Sequence, residues 1–273
     1  MLQAWLQEDI GRGDRTTAGL GDITQTIHQA IWVAKASGVI AGLPVAQRVF
    51  FLLDADVRLT PLVTEGSFCE AGTAIAQIVG PLEALLTGER VALNLAMRLS
   101  GIATLTREYV NKIADMSAQL VDTRKTTPGL RLLEKYATRI GGARNHRLGL
   151  DDSVMVKDNH IAAAGSIGAA VTSIRQQLPY PLTVEVETEN LEMVTAALAA
   201  NVDIIMLDNM RPAEMQQAVQ LIRQTHSHIK IEASGNITLE TLRTVAETGI
   251  DYISTSAPIT LSPWLDISMR IKQ

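Results

Sequence analysis

The sequence is short of cysteine, of aromatic residues, of positive charge and of long apolar runs. A single cysteine, Cys69, stands in 273 residues, so no intramolecular disulfide framework and no cysteine-cluster metal site can form. Its expected place is that of a small buried hydrophobe. Aromatic residues make up only 4%, and Trp5, Trp32 and Trp264 read as packing anchors rather than ligand stackers. The net charge is −5, which removes any general attraction for nucleic acid or an anionic membrane. No segment approaches the ~20 consecutive apolar residues of a membrane span. The start, MLQAWLQEDIGRGDR, lacks the basic head and apolar run of a signal peptide. A cytoplasmic location is therefore expected, from these absences.

What is present is ample apolar material, 47% of residues, organised differently in two parts. From 30 to 80 short apolar stretches are cut by glycines (AIWVAKASGVIAG, VRLTPLV, GTAIAQIVG) and read as strands joined by turns. A helix is expected from Thr87 to Met116, where Val91, Leu95, Leu99 and Ile102 recur at three to four residues. After 118 strand and helix alternate. The candidate strands are AQLVD, SVMVK, LTVEVE, VDIIML, IKIEA and DYIS. PGLRLLEKYATRIGG reads as a helix with Pro128 in its first turn. NLEMVTAALAAN, PAEMQQAVQLIRQT and TLETLRTVAETG are further helical patterns. Strands apolar on both faces belong to parallel sheets covered by helices. The expected fold is α/β: an incomplete (β/α) barrel over 104–261 behind an N-terminal α+β domain, 1–103, which the C-terminal segment 262–273 rejoins.

In such barrels chemistry gathers at the carboxyl ends of the strands, and the polar residues fall there repeatedly. AQLVD ends in Asp122, Thr123, Arg124 and Lys125, and SVMVK in Lys157, Asp158, Asn159 and His160. Glu187 and Asp208 close the next two strands. Ser234, Gly235 and Asn236 follow the fifth, and Thr255, Ser256 and Ala257 the sixth. One or two of these could be helix caps; six in series read as a site. Between Asp122 and His160 eight Lys or Arg face five Asp or Glu, while the remainder carries sixteen against twenty-four. An acidic chain has thus gathered cations in one segment, as a cleft for anions requires. Glu187 and Asp208 suit a divalent cation shared with substrate oxygens, or stabilisation of a sugar cation; the bland alternative is that they neutralise nearby Arg and Lys. The two small-residue loops offer backbone N–H groups to phosphate.

DTRKTTPGLRLLEKYA, GGARNHRLGLDDSVMVKDNH, EVE, LDN and EASGNI, in this order and spacing, resemble the quinolinate phosphoribosyltransferase family, as do EDIGRGDRTT and GERVALNLAMRLSGIAT. The resemblance covers nearly the whole chain. It implies an enzyme that converts quinolinate and phosphoribosyl pyrophosphate, with Mg²⁺, to nicotinate mononucleotide, pyrophosphate and CO₂. By motif, it implies that Arg90, Thr123, Arg124, Lys125, His146, Arg147 and Lys157 surround the quinolinate carboxylates. Lys125, Glu187 and Asp208 are the implied catalytic residues, with Glu187 and Asp208 on the ribose and metal side. Ser234, Gly235, Asn236, Thr255, Ser256 and Ala257 are implied to hold the 5′-phosphate. It further implies a homodimer in which Arg90 completes the neighbouring subunit's site.

Three departures from the family pattern stand out. Ala143 occupies the last place of the usual glycine triplet before NHR, which fits only if that backbone avoids positive φ. The final phosphate loop reads STSAPIT, and the chain begins shortly before EDIGRGD, where relatives often carry a further helix. Arg131, Lys135 and Arg139 recur at every fourth position and are expected on one helix face. His160 either contacts substrate or orients Lys157 or Asp158. His226 and His228 are expected in a solvated turn. Rival readings are the branch of this fold associated with molybdenum transport, a nicotinate phosphoribosyltransferase, and a catalytically silent sensor.

Overall fold

The short glycine-punctuated segments of the first part pair as antiparallel strands in the computed structural model, which describes residues 1–272. β1 (Ile27–Ala34), β2 (Gly38–Val39), β3 (Arg58–Pro61), β4 (Phe68–Cys69) and β5 (Ala74–Pro81) lie there. With the C-terminal strand (Ile267–Ile271) they form a four-stranded sheet ordered C-terminal strand, β1, β5, β3, while β2 and β4 pair separately. Alternation along β5 buries Ala76, Ile78 and Gly80, and β1 contributes Trp32, fully buried edge-on to Phe50. Truncating Phe50 to alanine there would cost about 3–5 kcal/mol.

Within this otherwise strand-like region, Leu43–Leu53 is a helix. Gly42 turns the chain at φ 98°, Pro44 sits in the first turn, and Leu43, Ala46, Val49 and Phe50 are its buried face. The carboxylate of Glu65 accepts the backbone N–H groups of Gly42 and Leu43, meeting the unpaired donors of the helix start. The expected helix at 87–116 runs from Leu82 to Lys112, and Leu2–Ile10 forms an additional one.

The chain divides into two compact units: Met1–Arg107 with Thr127–Gly142 and the segment from Leu261, and Glu108–Thr126 with Ala143–Thr260. Segment 127–142 thus groups with the first unit, although the sequence pattern assigns it to the barrel. Its helix begins at Arg131, so Pro128 lies in the preceding turn.

The second unit carries the alternation seen in the sequence. β6 (Gln119–Val121), β7 (Val154–Val156), β8 (Val184–Thr188), β9 (Ile204–Asp208), β10 (Lys230–Ser234) and β11 (Tyr252–Ser254) form one parallel sheet. Its order is β6-β11-β10-β9-β8-β7, so the C-terminal strand already described is β12. β6 carries one further parallel bridge, Val121 to Arg144, and the sheet stops there as an incomplete barrel. Residues at alternate positions (Val184, Val186, Ile205, Leu207, Ile231, Ala233, Ile253) are all buried. The intervening positions carry the polar residues. That parity places the site.

Candidate functional site

At the carboxyl ends of the six parallel strands the structure opens a cavity of about 580 Å³, a size suited to a small ligand. It is lined by residues of the second unit alone. Of the residues singled out by sequence, Thr123, Arg124, Lys125, His146, Arg147, Lys157, Glu187, Asp208, Ser234, Gly235 and Asn236 come together on its walls. Arg90 belongs to the first unit, where its side chain is 60% exposed beside Glu89 at 3.9 Å.

Thr255, Ser256 and Ala257, expected at the phosphate site, do not line this cavity. Thr255 Oγ1 donates to the Ile237 carbonyl, beyond β10, and accepts the Ala257 N–H, so that hydroxyl is engaged within the protein. Ser254, one residue earlier, takes the wall position. His160 also stays off the wall: its Nδ1 accepts the Lys157 N–H at 2.9 Å, at the start of helix Asp158–Ala164. Of the Arg131, Lys135, Arg139 series, Lys135 is buried and Arg139 exposed, and none lines the cavity. Ala143 adopts no positive φ, whereas Gly142 beside it does at 108°; the alanine therefore fits.

The cationic wall is held from below by Asp122, which is 3% exposed. Its Oδ1 accepts the His146 N–H at 2.9 Å and its Oδ2 the Asn145 side-chain amide at 2.7 Å. That bond ties β6 to the segment carrying His146 and Arg147. Arg147 is steadied by its guanidinium donating to the Ser153 carbonyl at 2.9 Å. Burial and the nearby Arg124 both lower its proton affinity, as expected where like charges are crowded. Lys157 Nζ meets Glu187 Oε2 at 2.5 Å.

Beneath the wall lies a group that strand-end reasoning misses. Glu185 and Glu232 are 2% and 4% exposed, and their carboxylates stand 3.3 and 3.5 Å from His146 Nε2. Nδ1 of His146 accepts the backbone N–H of Arg147 at 2.7 Å. Burial opposes charge on the imidazole, but hydrogen bonding and attraction to both glutamates outweigh it, raising His146 to about 10. Burial raises Glu185 as well. The Arg147 N–H is a contact that Nδ1 accepts in the neutral ring, and protonation of the ring, favoured by both carboxylates, gives it up. His146 lines the cavity while its Nε2 is held by the two buried glutamates.

The signal for these residues was a period of two. Glu185 precedes Glu187, Met155 precedes Lys157, Met206 precedes Asp208, and Glu232 precedes Ser234, each by two places on one strand face. Four of the seven buried polar side-chain atoms without a hydrogen-bond partner among the described residues are here: Arg124 Nε, Glu185 Oε1, Glu232 Oε1 and Ser254 Oγ. Buried polar groups are ordinarily paired, and three of the four (Arg124, Glu232 and Ser254) line the cavity, as suits a polar ligand.

On the opposite side Asp208 and Asn209 end β9, against the Ser234–Asn236 turn. Gly235 has φ 92° and Asn236 φ 51°, so the turn is left-handed, a form that aims backbone N–H groups outward. Glu187 and Asp208 stand on adjacent strands β8 and β9. Two carboxylates are the donor type that Mg²⁺ shares with substrate oxygens, so these residues fit that ion.

The barrel and its cavity define an α/β enzyme that handles small, multiply anionic substrates. Comparison with known proteins narrows the class. Residues 14–100 match the N-terminal domain, and 102–270 the C-terminal domain, of quinolinate phosphoribosyl transferase; the chain belongs to that family. It is 64% identical over 270 residues to a Synechocystis protein described as a probable nicotinate-nucleotide pyrophosphorylase (carboxylating), covering 99% of this chain and 91% of the relative. A Bacillus subtilis protein of the same description is 45% identical, with 99% and 92% covered. The crystal structure of NadC from Streptococcus pyogenes superposes with a TM-score of 0.94 at 43% identity, covering 99% of this chain and 95% of that one.

Proposed function

We propose that this protein transfers a phosphoribosyl group from phosphoribosyl pyrophosphate to quinolinate and releases CO₂, giving nicotinate mononucleotide and pyrophosphate. The observation that carries this reading is the division of one cavity into two walls. Arg124, Lys125, Arg147 and Lys157 form a cationic wall, at whose edge Lys157 pairs with Glu187, and Asp208 adjoins a left-handed Ser-Gly-Asn turn on the other. A pyridine with two adjacent carboxylates fits the first wall, and a sugar with phosphates at both ends fits the second.

The cations offset the repulsion between a dianion and a protein of net charge −5. Arginine forks hold carboxylates in a fixed plane, and lysines add point charge. The ring nitrogen is thereby aimed at C1 of the ribose. As the C1–oxygen bond to pyrophosphate breaks, positive charge grows on the sugar, and the carboxylates of Glu187 and Asp208 stabilise it. Glu187 and Asp208 would hold Mg²⁺, which when bound would offset charge on the departing pyrophosphate. Ser234, Gly235 and Asn236 bind the 5′-phosphate through backbone N–H groups and side chains. Once alkylated the ring is cationic; it accepts the electron pair of the bond to the adjacent carboxylate as CO₂ leaves, and that carbon then takes a proton. Positioning and electrostatics suffice, with no covalent nucleophile. The working form is a cytoplasmic homodimer in which Arg90 of the neighbouring subunit closes the pocket; its exposure in this chain supports that assignment.

The test is incubation of purified protein with quinolinate, phosphoribosyl pyrophosphate and Mg²⁺. Equal amounts of CO₂ and nicotinate mononucleotide are expected. Turnover of nicotinate in place of quinolinate, or no turnover of quinolinate, would reject the reading.

A further inference from the structure

Among the groups the mechanism leaves unused, Asn209 is the one that touches both halves of the second wall. Its side-chain amide donates from Nδ2 to Asp208 Oδ2 at 2.7 Å. Its Oδ1 accepts the side-chain amide of Asn236 at 3.1 Å. Its backbone N–H donates to the Ser234 carbonyl at 3.0 Å. Asn209 itself has φ 53°, a left-handed conformation that asparagine adopts more readily than most residues. Gly235 is pressed onto it: a Cβ at Gly235 would lie 2.2 Å from Asn209 Oδ1 and 2.9 Å from its backbone nitrogen. Three left-handed residues, Asn209, Gly235 and Asn236, thus interlock the ends of β9 and β10.

We propose that Asn209 is a positioning residue that fastens the Asp208 carboxylate to the Ser234–Asn236 turn, keeping the two ends of the phosphoribosyl substrate in register. The inference rests on the proposed phosphoribosyl transfer. Asp208 serves the ribose and pyrophosphate end, and the turn serves the 5′-phosphate. Without the fastening the Asp208 carboxylate and the turn lose their fixed spacing, so the phosphoribosyl substrate binds less tightly and C1 is no longer presented to the ring nitrogen in one geometry, and small misplacements of reacting atoms are costly. Both hydrogen bonds are internal to the protein, so Asn209 acts through its neighbours and needs no contact with substrate.

The experiment uses Asn209→Gly, which keeps the left-handed backbone without strain and removes only the side chain. Two hydrogen bonds are lost, so kcat/KM for phosphoribosyl pyrophosphate is expected to fall about tenfold or more, while KM for quinolinate stays within about twofold. Asn236→Gly, built on the same backbone logic, should show a similar selective loss, and the double variant should be little worse than either single one, as for coupled residues. A KM for quinolinate raised as much as that for phosphoribosyl pyrophosphate, wild-type kinetics, or fully additive losses would each overturn the proposal. Affinity for ribose 5-phosphate, followed calorimetrically, reads the fastening without turnover: weakening in Asn209→Gly is expected, and unchanged affinity counts against it. If the wild-type protein fails to convert quinolinate, the functional reading falls, whereas failure of the variants alone removes only the role of Asn209.

Discussion

Lys157 carries two tasks at one atom. Its ammonium lies 2.5 Å from Glu187 Oε2, and it lines the wall proposed to hold the quinolinate carboxylates. Lys157→Met keeps much of the length and removes the charge. Substrate then loses a charge-assisted hydrogen bond of about 1.5–3 kcal/mol, and Glu187 loses its partner. Steady-state kinetics should show kcat/KM for quinolinate down about a hundredfold, and a variant within threefold of wild type would contradict the assignment. His146 gives a second expectation. Its shift is upward, to about 10, so the proton is retained throughout the neutral range. What that proton adds to stability is whole below the free imidazole value of about 6.5 and declines only as pH climbs toward 10. The His146 ring resonance should therefore stay flat between pH 6 and 8 in an NMR titration; an inflection near 6.5 would refute the buried trio. The cationic wall was legible because its members end strands or follow them. Glu185 and Glu232 were not, because a glutamate inside an apolar strand gains meaning only from the register of its neighbours. Glu185 pairs across to Met155, and Glu232 to Met206. Those pairings, and the return of His146 beneath them, are tertiary facts.

At the level of elements, the parallel strands were readable as strings apolar at every second place with polar ends. The helix Leu43–Leu53 was not, since VFFLL carries strand-prone residues and local pattern alone does not decide. It is settled by Gly42 in the left-handed region, by Pro44, and by a carboxylate 22 positions onward, Glu65. The hydroxyl of Tyr136 donates to that carboxylate at 2.7 Å, and burial together with the Glu65 charge pushes the phenol's pKa up. Glu65→Ala leaves two helix-start N–H groups and the Tyr136 hydroxyl without their acceptor. Stability should drop by about 2 kcal/mol, the scale of a lost helix cap plus one further hydrogen bond. Urea unfolding followed by circular dichroism measures it, and a loss under about 0.5 kcal/mol would show that Glu65 does not cap the helix. The last strand teaches the same lesson in reverse. Thr255, Ser256 and Ala257 have the composition of a phosphate loop, but the hydroxyl of Thr255 is turned inward to Ile237. Composition showed that a tight turn follows β11, and only the backbone path shows which residue faces the cavity.

For the whole molecule the question is completeness. The cavity of the second unit gathers four cations from this chain, while Arg90, which resemblance assigns to the same pocket, sits in the first unit with its side chain 60% exposed and, among the described residues, only Glu89 within ion-pair distance, at 3.9 Å. An arginine left largely in solvent on an acidic protein contributes little to stability, so its role is sought in a second copy. Sequence reached this because the GERVALNL motif is recognisable; no physical pattern within one chain connects Arg90 to the barrel. In a two-fold dimer each subunit presents the same patch to the other, and that makes complementation decisive. Arg90→Ala and Lys157→Ala should each be inactive alone. When the two are unfolded and refolded together in equal amounts, half the dimers are mixed, and each mixed dimer holds one pocket with both residues native. Activity should then return to about a quarter of wild type, the share set by random pairing of symmetric subunits. If Arg90→Ala is inactive and the mixture stays inactive although mixed dimers form, as shown by differently tagged subunits, Arg90 acts within its own chain, and the shared pocket must be abandoned.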